Sequence, residues 1–205
     1  MRLAAFVLSI VVTGAIAYSV YCYRIELGLV SQRANATGPA PMDSRAPDWR
    51  IVDRSADGFK VEMPAEVVDS RASAFSGYGV QEEIPLIEAS PRPDNRFAVA
   101  WDDDPPVERS AGEEAESTLD RAQAGALART RAVLTGEWQS HTSGHPERDF
   151  TGRIAGGGAL NARLILAGKR LFMLIVTSAS ASPERDGDVK RFFNSFQLTE
   201  PARAN

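Results

Sequence analysis

Cysteine is almost absent from this chain, because the only one among 205 residues is Cys22, inside an apolar N-terminal run. The rest of the chain therefore forms no internal disulfide and has no thiolate for catalysis or metal binding. About 160 residues follow that run, enough to bury roughly 70% of the unfolded surface without cross-links. We expect packing alone to stabilise the fold.

Basic clusters are also missing. The 23 Lys and Arg residues are outnumbered by 27 Asp and Glu, and the formal net charge is −4. No basic run is long enough to follow a phosphate backbone, so we expect no nucleic-acid partner. Only three of the basic residues are lysines, a bias that we interpret as the mark of a GC-rich bacterial genome.

Catalytic and ligand-binding signatures are lacking as well. His141 and His145 have a spacing that suits two zinc ligands only on a helix, whereas Gly, Ser, Thr and Pro surround them. The run 102–104 is three aspartates without the glycine-containing loop of a calcium site. The triple glycine at 156–158 has no phosphate-loop lysine and precedes a strand. We predict no catalytic, cofactor-binding or metal-binding residue and no enzymatic activity.

The N-terminus carries the strongest single pattern. Residues 3–23 include no charged side chain, and roughly 20 apolar residues are what a helix needs to cross a bilayer. We predict a single-pass transmembrane signal-anchor over residues 1–30 in the inner (plasma) membrane, with the following domain in the periplasm or at the cell exterior. Ala15-Ile16-Ala17 leaves a second interpretation open, a signal peptide cleaved after Ala17. Both interpretations place the domain outside the cytoplasm.

Composition divides the remainder of the chain. Residues 31–47 are rich in Pro, Ala, Ser, Asn and Gly and have no apolar period, which is typical of a flexible linker. We predict an α+β extracytoplasmic domain over residues 48–200 and a disordered tail over 201–205.

Strand patterns organise that domain around residues 160–178. Residues 160–166 alternate between more and less polar positions, a tight turn follows at 167–170, and residues 171–176 are apolar on both faces. A strand covered on both faces belongs in the middle of a sheet. The Asp57-Gly58 turn predicts an earlier hairpin, residues 72–88 predict one or two strands, and residues 90–95 predict a loop.

Two helices are predicted to pack on this sheet. Ser110 and Glu113 have capping-box spacing, a stripe of small residues follows, and Gly136 is interpreted as the C-terminal stop. This helix should lie on the alanine-bearing face of the strand at 97–101. The second helix begins after Ser182-Pro183 and presents an aromatic edge to the sheet. Its members are Val189, Phe192, Phe193 and Phe196.

The predicted fold class is therefore α+β, an antiparallel sheet of about six to seven strands with two packed helices, preceded by one N-terminal transmembrane helix. Two stretches carry a resemblance to a broad group of exported bacterial domains: Gly58 to Pro64, with the pattern Gly-Phe-x-Val-x-x-Pro, and Phe193 to Leu198, the last six positions of the pattern Phe-x-x-Ser-Phe-x-Leu. The chain resembles this group, many of whose members are similar in outline to the PsbP-like fold. The resemblance implies an antiparallel sheet with packed helices and an accessory or assembly role.

Two functions are open at this level. The first is a membrane-tethered binding or accessory domain, a subunit or assembly factor of an envelope protein complex, with the membrane and a protein as partners. The second is a carrier or sensor for a small apolar ligand or lipid, held between sheet and helix and lined by Trp101, Phe97 and Phe196.

Overall fold

A computed structural model describes residues 47–64, 66–75, 81–103, 111–142, 144–179 and 187–199. These residues all belong to one compact unit, Arg45–Asn205. The predicted membrane segment with Cys22, the linker up to residue 46 and the tail at 201–205 lie outside them. Within the described ranges, neither helix has the length and apolarity needed to span a bilayer.

The described residues form an α+β fold of two antiparallel sheets and two α-helices. The large sheet has seven strands, in the order β3-β4-β5-β9-β8-β7-β6. In chain order they are β3 (Val68–Phe75), β4 (Gln81–Arg92), β5 (Asn95–Asp102), β6 (Ala132–Thr142), β7 (His145–Ile154), β8 (Ala159–Ala167) and β9 (Arg170–Ser178). The predicted fold class and size of the sheet are thus confirmed for this part of the chain.

The middle strand is β9, as its sequence predicts. It is fourth of seven, between β5 and β8. On one face Phe172, Leu174 and Val176 join the larger core cluster. On the other face Leu171 belongs to a second cluster, with Met173 packed against it. An apolar side chain at every position therefore serves two cores at once.

A second sheet was not predicted. The first hairpin, β1 (Trp49–Arg54) and β2 (Phe59–Pro64), turns at a short 3-10 helix and at Gly58, whose φ is +87°. It pairs with the short β10 (Gln197–Leu198) and forms a sheet of three strands. Buried side chains on one face of β2 pack on the large sheet, so this hairpin forms a separate layer.

The first helix, α1 (Ala111–Thr130), packs across β6, β7 and β8 through Leu119 and Ala126. It lies on the side of the sheet to which Ala100 points, since Ala100 pairs with Met173 beside this core. Its predicted end at Gly136 is wrong. The helix stops at Thr130 because Arg131 turns the chain with a left-handed φ of +53°. Ser110, the predicted cap, lies outside the described residues.

The second helix, α2 (Gly187–Ser195), packs on the opposite side of the large sheet, beside β2. Val189 and Phe192 are buried and Phe193 and Phe196 are half-buried, so the predicted aromatic edge is confirmed. The backbone N–H of Glu62 donates to Ser195 Oγ at 2.9 Å and ties the helix end to β2. The Ser182-Pro183 cap is outside the described residues.

One connection is shorter than predicted. The predicted loop at 90–95 is reduced to a two-residue turn before β5, while residues 72–88 contribute to two strands, β3 and β4, within the predicted one or two. Gly156 and Gly157 have φ of +98° and +103° and turn β7 into β8. L-residues with a side chain are strained in this region, which accounts for the glycine run without any ligand.

Candidate binding surface

On the α2 side, the described residues cover the outer strands of the large sheet less than its middle. The small sheet and α2 cover β4, β5 and β9 there, whereas Val133 and Trp138 on β6 are 72% and 58% exposed. Backbone register places Trp138 opposite Asp149, Asp149 opposite Arg163, and Arg163 opposite Leu174 of the covered core. We name this area the Trp138 face. Its residues are Val133, Gly136, Trp138, Asp149, Thr151, Asn161 and Arg163.

Trp138 lies close over the strand beside Gly136. A β-carbon added at Gly136 would stand 3.0 Å from Cη2 of the indole and 3.1 Å from Oγ1 of Thr151. The missing side chain therefore lets the ring approach the backbone closely. The result is an aromatic ring supported from beneath by the sheet and exposed to solvent on its outer side.

Arg163 is the fixed cation of the Trp138 face. Its Nε and Nη2 donate to the two carboxylate oxygens of Asp149, both at 2.8 Å, and Nε lies 3.2 Å from Glu147, which is almost wholly buried. The hydrogen bonds that Arg163 donates to Asp149 raise the pKa of Arg163, burial lowers it, and the charges of Asp149 and Glu147 add to the rise. On the inner side, the guanidinium lies 5.6 Å from the ring centroid of Phe193.

Asn161 and Thr151 are the other two polar side chains of the Trp138 face, beside Arg163 and Asp149. Asn161 is 6% exposed, and its buried side-chain nitrogen has no hydrogen-bond acceptor within the described ranges. Thr151 Oγ1 lies 3.1 Å from Thr135 Oγ1. Buried donors that remain unpaired are rare in proteins, and each costs about 1–3 kcal/mol.

A second polar cluster lies on the α1 side, around Arg148. This side chain is 2% exposed in β7, and it contacts Glu116 at 2.7 Å and Gln123 at 3.0 Å, with Asp120 as a further partner. Burial lowers the pKa of Arg148, but the hydrogen bond and charge of Asp120, with the charges of Glu137 and Glu116, raise it overall. The cluster joins α1 to β7 and is built from groups that neutralise one another.

The histidines and aspartates considered from the sequence do not form a site. His145 begins β7 and pairs with Thr142, while His141 lies on β6 opposite Pro146, so the two stand on a hairpin and the helical spacing has no meaning. Asp103 forms an ion pair with Arg170, and Asp104 lies outside the described residues. No group of three or more potential metal ligands occurs in the described part of the chain.

The proposed apolar pocket is filled by protein side chains. Phe59 stacks on Phe196 at 5.7 Å between ring centroids and lies 5.3 Å from Trp101. Phe97 meets Phe192 at 5.4 Å. Because buried rings occupy the space between these residues, the prediction that they line a ligand site is wrong.

Trp138 was not singled out from the sequence, and Gly136 was interpreted only as a helix stop. A tryptophan in a small sheet is usually a core residue, and Trp101 is one. The available signal was the composition of residues 132–139, a strand with exposed apolar side chains and only one charge.

Comparison with known proteins adds evidence on the fold. No family model matches the sequence, and no curated protein matches it. The solution structure of cyanobacterial PsbP (CyanoP) from Synechocystis sp. PCC 6803 superposes with a TM-score of 0.54 at 13% identity, over 79% of this chain and 98% of that one. The fold is PsbP-like.

The fold implied by the sequence resemblance is thereby confirmed, while its two motifs are not tested by this comparison. A crystal structure of PA94, a Pseudomonas aeruginosa protein of unknown function, covers 69% of this chain and 91% of its own at 14% identity. Its TM-score of 0.36 carries no conclusion about a shared PsbP-like fold.

Proposed function

We propose that this PsbP-like domain acts by binding a protein, without catalysis, as an accessory or assembly subunit. The observation that carries the proposal is the solvent-exposed indole of Trp138, which rests on Gly136 in the outer strand of the large sheet. The PsbP-like fold supports an accessory role in general terms.

A protein partner suits the composition of the Trp138 face. Tryptophan and arginine are enriched among residues that dominate binding energy at protein interfaces. Here Trp138 and Val133 supply apolar area at the outer strand, and Arg163 and Asp149 hold fixed charges beside them. This combination of an apolar centre and a polar surround is typical of specific interfaces.

We propose in addition that residues 1–30 hold the domain at the outer side of the inner membrane. The support is the uncharged run of residues 3–23 followed by a linker-like composition. A tether of this kind would keep the Trp138 face within a limited distance of the bilayer. Membrane fractionation with protease treatment of spheroplasts tests it. Full-length protein that remains in the soluble cytoplasmic fraction would refute the anchor.

Photo-crosslinking in intact cells tests the binding surface. A photoreactive phenylalanine analogue replaces Trp138 in one variant and Ile51 in the other. Ile51 is a matched control because it is 71% exposed on a different sheet. We expect a discrete adduct from position 138, identified by mass spectrometry, and none from position 51.

A further substitution tests whether the rest of the Trp138 face contributes to the adduct. Replacing Val133, which is 72% exposed on the same face, by Ser in the photoreactive variant should weaken the adduct, because it removes apolar area from the face without disturbing a buried contact. Adducts of the same identity and yield from positions 138 and 51 would refute the Trp138 face as the binding surface.

A further inference from the structure

The outer edge of β6 is poorly protected against pairing with another strand. It is the last strand of the large sheet, and residues 132–139 contain no proline, no lysine and one charged residue, Glu137. Proteins usually guard such edges with charges, proline, bulges or a covering element, and of these β6 has one charge and one bulge, between Leu134 and Gly136. The opposite edge, β3, is guarded, because Asp69 pairs with Arg54 and the carbonyl of Ser73 accepts a hydrogen bond from Arg129 at 2.7 Å.

The β6 side chains that point to the α1 side can be identified from their contacts. Ala132 packs in the α1 core. Leu134 pairs with Gly152, whose added β-carbon would meet Leu127 of α1. Two more side chains bond to α1 residues: Glu137 accepts from Gln123 at 3.0 Å, and Gln139 donates to Glu116 at 3.4 Å.

The remaining β6 side chains point to the α2 side. Thr135 and Gly136 both face Thr151 there, because a bulge between Leu134 and Gly136 inserts one residue. Val133 and Trp138 lie on either side of them. The side chains of residues 132, 134, 137 and 139 therefore point to the α1 side, and those of residues 133, 135, 136 and 138 belong to the α2 side. This order of sides is the same in both directions along the strand.

Such a strand is self-complementary. Residues directly opposite each other in an antiparallel pair point to the same side of the sheet, and a slip of one residue reverses every side chain. A two-fold axis between Thr135 and Gly136 pairs residue 132 with 139, 133 with 138, 134 with 137 and 135 with 136 of a second copy. The two residues of each pair then belong to the same side of the sheet. Moving the register by one or two residues breaks this match.

We propose that β6 pairs antiparallel with β6 of a second copy of this chain, with Val133 opposite Trp138. The two seven-stranded sheets would become one sheet across an isologous two-fold interface. Each exposed Val133 would then pack on an exposed Trp138, an apolar cross-strand pair of the kind that stabilises sheets. The Trp138 faces of both copies would form one continuous surface.

Charge favours the same arrangement. Arg131 is exposed at the start of β6, and Glu116 is half-exposed beside Gln139 near the other end. The two-fold axis brings the start of one strand next to the end of the other. Each Arg131 would therefore approach Glu116 of the second copy, and opposite charges would meet at both ends of the interface.

Mass measurement tests the dimer in the purified full-length chain. We expect native mass spectrometry in a mild detergent to find twice the 22.2 kDa of one chain. Val133→Lys places a charge at the edge and should give a folded monomer that unfolds cooperatively, at a denaturant concentration that no longer depends on protein concentration. Ile51→Lys, at an equally exposed site on β1, should remain a dimer. A monomeric native protein at about 100 µM, far above micromolar dissociation constants, would overturn the proposal.

Cysteine cross-linking tests the register in a Cys22→Ser background. Leu134 and Glu137 of the second copy should be directly opposite, so oxidation of a mixture of Leu134→Cys and Glu137→Cys proteins should give a disulfide dimer, and each protein alone should not. A mixture of Leu134→Cys with Gln139→Cys is the control for a register shifted by two residues. Equal cross-linking in both mixtures would overturn the proposed pairing.

This inference goes beyond the proposed function and is tested without a partner. A purified monomer whose position 138 still yields a specific adduct in cells would remove the dimer and leave the binding surface. A dimer without any such adduct would leave the pairing and remove the proposed function.

Discussion

Arg163 on β8 binds Asp149 on β7 through two parallel hydrogen bonds of 2.8 Å, and the same guanidinium neutralises the buried carboxylate of Glu147. The pairing places a fixed polar group at the border between the aromatic core and the Trp138 face. It contrasts with Arg148, which is more deeply buried but has carboxylate partners that reach water. The first prediction therefore depends on how exposed the partner carboxylates are, and not on how deeply each arginine is buried.

Arg163→Met should destabilise the domain more than Arg148→Met. The first change removes one cation from the side of Glu147, which is 3% exposed, and removing one member of a buried ion pair costs up to about 3–5 kcal/mol. The second leaves Glu116 and Asp120, whose side chains are 53% and 67% exposed and regain hydration. Urea unfolding of both variants measures the free energies. An equal or larger loss for Arg148→Met would contradict the argument.

Asp53 should contribute to stability in a pH-dependent way. The hydrogen bond from Lys60, together with those from the Ser55 hydroxyl and backbone, lowers the pKa of Asp53 from 3.8 to about 2. A lowered carboxyl pKa stabilises the folded state above the unfolded pKa, and the contribution disappears as the pH falls through the folded pKa.

Asp53→Asn should therefore lower the free energy of unfolding near pH 6 and have little effect near pH 2. Denaturant titrations of both proteins at the two pH values provide the measurement. Asp48→Asn, at an exposed position before β1, controls for the loss of a surface carboxylate. A deficit of the same size at both pH values would rule out this role for Asp53.

Arg131→Gly should stabilise the domain by about 0.5–1 kcal/mol. Arg131 has a left-handed φ of +53°, which side chains with a β-carbon tolerate poorly and glycine adopts freely. Arg131→Ala removes the charge but keeps the β-carbon, so it should give no gain. Thermal unfolding of both variants in the Val133→Lys background excludes any effect of association. Equal stabilities would show that the turn is not strained.

Gly136→Ala should displace Trp138 without unfolding the domain. The new methyl group would stand 3.0 Å from the indole and 3.1 Å from Thr151, so the ring must move away from the strand. We expect a shifted fluorine resonance for 5-fluorotryptophan at position 138, assigned with Trp138→Phe, and a weaker adduct in cells from a crosslinker at Thr135. An unchanged resonance would mean that the ring does not rest on this glycine.

The sequence predicted those parts of the fold that depend on one strand or helix at a time. The apolar side chains of β9 on both faces identified the middle of the sheet, and the aromatic spacing from Val189 to Phe196 identified the buried edge of α2. The second sheet was missed because β1 and β2 have the same alternation in either sheet. Which layer they join depends on β10, a strand of only two residues.

The candidate surface depends on information that a single sequence does not contain. Trp101 and Trp138 both lie in apolar strands, and only the strand order makes one central and the other peripheral. Gly136 resembles a helix stop because the helical period of small and apolar residues continues through Val133. The left-handed turn at Arg131 ends the helix five residues earlier, at a residue type for which that conformation is uncommon.

The central position of β9 has a consequence for biogenesis. This strand is the last of the seven in chain order, yet it separates the early β3-β4-β5 group from the later β6-β7-β8 group. Until the ribosome has released residue 178, the two groups have bare inner edges and no common hydrophobic layer. A nascent or truncated chain that ends before β9 would therefore expose unpaired strand edges to other protein chains. Chaperones that bind unfolded chains would be most needed during this interval.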